Sequence, residues 1–158
     1  MPSFLIPWLL REQNEDVFMR AGIVAVLSML LLLCSAACCQ ATDVQITKIA
    51  GKSPPAGKES LGVDWRPFVE GTCSGDDTTV WVVIHPFEIA DFFVEPQAAC
   101  SDGTWKVEVF FGDKDTPAGK QFEMRAFADP VKQLQEGQRL KTWPKGRARS
   151  KVVYLVRQ

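Results

Sequence analysis

From residue 42 onward the apolar residues come in short runs, alternating or continuous, separated by clusters of Gly, Pro, Asp and Ser. No stretch there sustains a 3.6-residue period, so the pattern predicts an all-β domain. VQITKIA (44–50) alternates and makes a first strand, offering Val44, Ile46 and Ala50 to a core. GKSPPAGKES (51–60) breaks the pairing, because two prolines and two glycines do not sit in a ladder. LGVDWRPFVEGT (61–72) reads as a second strand, with Pro67 marking an edge or a bulge. TTVWVVIHP (78–86) is β-branched or aromatic almost throughout and stops at Pro86. A run this apolar belongs at the centre of a sheet. DFFVEP (91–96) is a short strand. GTWKVEVFFG (103–112) sets Trp105, Val107 and Val109 on one face against Lys106 and Glu108 on the other. KQFEMRAFADP (120–130) likewise sets Phe122, Met124, Ala126 and Ala128 against Glu123, Arg125 and Phe127, and KVVYLVRQ (151–158) closes the chain.

About seven strands with a turn signal near every tenth residue predict an antiparallel, immunoglobulin-like β-sandwich. Trp81 would then be the tryptophan between the sheets. Cys73 and Cys100 bracket its strand, but their spacing is shorter than in antibody domains and a tyrosine corner is missing. The succession VWVVIHP, FFVEPQA, DGTWKVEVFFG and AGKQFEMRAFAD resembles small extracytoplasmic β-sandwich modules of bacterial envelope and secreted proteins, over residues 61–130. That resemblance rests on core aromatics and turn glycines, so it implies a fold and no chemistry.

The first 41 residues have a different character. Ala21 to Ala37 is an uncharged span of 17 residues, between the length of a secretory apolar region and that of a membrane helix. Arg20 precedes it, and small residues follow in LLLLCSAACCQA (30–41). Cleavage after Ala41 fits the small-residue rule, and so does cleavage after Ala37, which would put Cys38 first. The second site resembles a bacterial lipoprotein signal with lipidation at Cys38, although Ser35 stands where that pattern has Leu. An uncleaved anchor is the remaining alternative. Glu12, Glu15 and Asp16 are foreign to the basic start of a signal, and translation from Met19 would remove them. Each reading divides the chain into a signal or anchor helix (1–41) and an exported domain (42–158), on the outer side of the membrane.

Of five cysteines, Cys34, Cys38 and Cys39 fall in the leader, and Cys73 and Cys100 remain as a pair that an oxidising compartment would join. Two unpaired thiols are the alternative, since spacing does not reveal separation in space. From Thr42 onward 16 basic and 16 acidic side chains cancel, yet they are unevenly distributed. Asp64 to Asp115 holds eleven acidic against three basic residues, whereas Val131 to the end holds eight Lys or Arg against Glu136. Such a balanced domain is not a general polyanion binder, but its basic tail is a candidate patch.

Catalytic signals are weak. His85 is the only histidine and ends a buried strand, and one His with two cysteines does not make a zinc site. Asp76 and Asp77, or Asp113 and Asp115, read as turn residues rather than as a calcium loop. No catalytic residue, metal or cofactor is expected. Aromatics are more informative. Phe87, Phe92 and Phe93 lie in HPFEIADFF between two strands, which reads as a loop folded over one open edge of the sandwich or as a recognition surface for a sugar ring, a peptide or a lipid face. Arg139, Lys141, Lys145, Arg147 and Arg149 surround Trp143 in GQRLKTWPKGRARSK (137–151). Nucleic acid is not expected as a partner after export, whereas an envelope protein, a surface polysaccharide or the membrane is. The reading is a non-catalytic exported binding or interaction module, ahead of a membrane-tethered accessory subunit of an envelope complex and a small hydrolase built on Asp76 or Asp77 with His85.

Overall fold

A computed structural model of the chain describes residues 43–75 and 78–158. The expected leader with its Met19 start, cleavage sites and lipidation site at Cys38 lies outside these residues, and so do Asp76 and Asp77.

Among the described residues ten strands form: β1 (Val44–Ile49), β2 (Ser60–Val63), β3 (Phe68–Cys73), β4 (Thr79–Pro86), β5 (Phe92–Ala99), β6 (Thr104–Glu108), β7 (Gln121–Pro130), β8 (Arg139–Leu140), β9 (Gly146–Arg149) and β10 (Val153–Arg157). The domain is all-β, with no helix among the described residues. A three-stranded sheet runs β1-β3-β6, and a larger one runs β2-β10-β7-β4-β5-β8 with β9 also on β7. All pairs are antiparallel except β10 with β2.

The strand count exceeds the expected seven for two local reasons. The expected strand over 61–72 divides at Asp64–Pro67 into β2 of the large sheet and β3 of the small one. Pro67 has no N–H for a ladder, so the chain changes sheets there instead of bulging. The basic stretch, which is not among the seven expected strands, contributes β8 and β9.

Between the sheets lies one core of Val80, Val82 and Ile84 from β4, Phe122, Met124 and Ala126 from β7, Val69 from β3, and Trp105 and Val107 from β6. The alternation read in β6 is therefore the alternation of burial, and in β7 it holds as far as Ala126, beyond which Phe127 is buried as well. Trp81 is not in this core. Its place is taken by Trp105, whose indole Nε1–H donates to the Thr72 carbonyl (3.1 Å). Trp81 points through the opposite face of β4 into a second cluster with Val83, Val94, Phe127 and Leu134. Neighbouring residues of a strand point to opposite faces, so an all-apolar strand such as β4 needs a cover on each.

Cys73 and Cys100 form a disulfide that joins the end of β3 to the residue after β5, across the two sheets. Gly71 lets Trp105 lie flat on β3. A Cβ there would stand 2.0 Å from the Gln45 carbonyl oxygen and 2.4 Å from the indole. Gly71→Ala is expected to destabilise the domain by about 2 kcal/mol through forced displacement of β1 or Trp105, read as a lowered urea midpoint with an unchanged slope. A midpoint matching that of the unaltered chain would show that the contact relaxes freely.

Candidate functional site

The outer face of the large sheet carries most of the side chains singled out in the sequence. His85 of β4, Glu123 of β7 and Tyr154 of β10 form one row across three neighbouring strands, with Glu123 in the middle. His85 Nδ1 lies 2.9 Å from Glu123 Oε1 and His85 Nε2 3.0 Å from the Ile89 carbonyl oxygen. Both partners are acceptors, so an imidazolium satisfies both and a neutral ring only one. Either way His85 ties the turn 86–91 to the sheet. The same turn is held by the Phe87 N–H donating to the Gln121 carbonyl (3.1 Å) and by the Lys120–Glu88 ion pair (2.8 Å).

This anchoring leaves apolar side chains in the open. Phe87 is 49 % and Ile89 47 % exposed. The Phe87 ring touches Tyr154 edge-on (6.3 Å between centroids), and His85 stacks on Phe92 at 4.1 Å. The turn thus forms an aromatic rim on the outer face rather than a flap over an open sheet edge.

The basic stretch arrives at the same place. β8 pairs with the start of β5, Leu140 opposite Phe92 and Arg139 opposite Phe93. Lys141 reaches Asp91 at 2.6 Å, and this hydrogen bond to an ammonium holds the Asp91 carboxyl below its ordinary range. Trp143 lies edge-on to Phe92 (4.7 Å) and tilted over Phe127 (5.9 Å), with the Arg125 guanidinium 5.3 Å from its ring centre. Leu134, Leu140 and Trp143 are the cover that the second cluster requires.

Alternation separates the remaining residues. Phe93 and Arg139 pair on the opposite face of the β5–β8 edge, with the guanidinium 5.6 Å from the ring centre. Arg149 is in register with Phe127, so Arg149 and Arg147 join the outer face while Ala148 packs against the inter-sheet core. Arg147 lies 3.6 Å from Asp129. Lys132, Lys145 and Arg149 are exposed and have no ion-pair partner among the described residues.

Sequence reasoning missed Glu123, Arg125 and Tyr154, which carry no local motif and join the site only through strand register. It also missed Glu95 on β5. This carboxyl is 6 % exposed and accepts a hydrogen bond from the Phe110 N–H (2.8 Å). Burial pushes its pKa up to about 7, against the lowering effect of that bond. Asp113, read as a turn residue, accepts from the Thr116 hydroxyl and the Asp115 N–H, bonds that close its own turn and hold its carboxyl below the usual range. Among the described residues no group of three or more His, Cys, Asp or Glu is clustered. No protein-family model, curated protein or solved structure matches the chain.

Proposed function

We propose that this protein is a non-catalytic, exported binding module with an immunoglobulin-like sandwich fold, and that its outer face holds an acidic surface polysaccharide. The carrying observation is the pairing of β5 with β8, which joins two stretches nearly fifty residues apart into one surface of aromatic side chains with exposed cations around it. Aromatic faces stack on the apolar sides of sugar rings, and Arg147 and Arg149 supply charge for uronate or phosphate groups. The sandwich reading is supported by two sheets around one core that contains Trp105 beside the Cys73–Cys100 bridge. That bridge also supports export, since disulfides persist in oxidising compartments. The non-catalytic reading is supported by His85, whose ring nitrogens face Glu123 of β7 and the Ile89 carbonyl of the turn rather than open solvent.

The test is retention on immobilised polygalacturonate compared with neutral dextran. The chain is expected to be retained by the polyuronate at about 50 mM salt and released as salt screens the contact. Arg147→Gln/Arg149→Gln is expected to elute at clearly lower salt. Equal behaviour on the two matrices would sink the proposal.

A further inference from the structure

Residues 131–145 run from the end of β7 to the start of β9, pairing with the β5 edge through β8 on the way, and the two ends of the segment meet at one point. Pro130 pairs with Gly146, and the Val131 N–H donates to the Lys145 carbonyl (2.9 Å). Between these ends the segment is fastened to the β5 edge: the Gly137 N–H donates to the Val94 carbonyl (2.8 Å) and the Val94 N–H to the Gln138 carbonyl (3.0 Å). Leu134 is buried in the second cluster. A loop held at so many points keeps its shape without a ligand, so a hollow inside it is preformed.

There is such a hollow, of about 440 Å³, within the size range of small-molecule sites. Leu134, Leu140 and Trp143 give it apolar walls, and Lys132, Lys141 and Lys145 stand around it. No Asp or Glu lines it among the described residues. Lys141 is engaged by Asp91, whereas Lys132 and Lys145 have no ion-pair partner among the described residues. Apolar walls favour an apolar body, and uncompensated ammonium groups favour an anion.

We infer that this hollow binds a small organic acid, with its apolar body against Trp143, Leu134 and Leu140 and its carboxylate between Lys132 and Lys145. The inference rests on the proposed binding role of this face and adds a second, smaller ligand to it. A polymer would run over Arg147 and Arg149 outside the loop; the acid sits within it.

The experiment titrates the full chain by calorimetry with 2-naphthoate, 2-naphthylmethanol and galacturonate. The acid is expected to bind about tenfold more tightly than the alcohol, the value of one charge-assisted contact. Lys132→Gln/Lys145→Gln is expected to abolish that preference, while Lys48→Gln/Lys52→Gln, the same change of net charge around β1, keeps it. Equal affinity for acid and alcohol, or a preference that survives Lys132→Gln/Lys145→Gln, would overturn the inference. Galacturonate binding as tightly as naphthoate would overturn it too, because the apolar body would then contribute nothing. A chain retained on polyuronate that ignores naphthoate loses only the acid site. One that binds naphthoate but is not retained loses only the polysaccharide.

Discussion

Replacing Cys73 and Cys100 together by serine is expected to lower the unfolding free energy by about 3.5 kcal/mol, the chain-entropy value for a closed loop of this length. The two half-cystines are 27 residues apart, and between them lie all of β4 and β5. Without the bridge the unfolded chain regains the freedom of that loop, and the small sheet loses its covalent tie to the large one. Urea unfolding with and without reductant is the measurement. The reduced parent and the double serine variant are expected to show the same loss. A loss below about 1 kcal/mol in both would mean that the unfolded ensemble is already confined in this region, so that the loop-entropy argument does not apply.

The second large effect depends on pH and comes from Glu95. Its folded pKa of about 7 lies above the ordinary value of 4.5, so the folded state binds its proton more tightly than the unfolded state does. The stability it contributes is fully present below about pH 4.5 and is lost as pH rises through about 7. The shift corresponds to roughly 3 kcal/mol between those limits, an order-of-magnitude value. Glu95→Gln keeps an oxygen for the Phe110 N–H but removes the titration. At pH 8 the variant is expected to be more stable than the parent by about 1–3 kcal/mol, and at pH 4 to match it. A difference that does not change between the two pH values would be inconsistent with a buried titrating carboxyl. Asp91 and Asp113, both held low by hydrogen bonds, act in the opposite sense and at lower pH, so they do not imitate this window.

The burial of Glu95 shows the kind of information that a strand pattern lacks. FFVEPQAA reads as a strand with a polar residue in the middle, and alternation alone would turn that residue towards solvent. In the fold, β4 and β5 slip in register between Trp81 and Val83, and the backbone of Phe110, just beyond β6, closes over the carboxyl. Both neighbours are distant in sequence. Phe127 is a similar case: the sequence assigns it to the polar side of β7, correctly as to face, yet it is fully buried because residues 131–145 cover that side.

What the sequence determined by itself was local and periodic. Apolar alternation marked β1, β6 and β7, and the unbroken apolar run marked β4 as central, because those signals reflect whether each face of a strand meets water. The aromatic turn and the basic stretch were legible as unusual compositions. Tertiary structure alone decided that Cys73 and Cys100 meet, that Trp105 rather than Trp81 lies between the sheets, and that Phe92 and Trp143 share one surface. Each of these depends on strand order and register, which bring together residues whose separation along the chain carries no signal of contact.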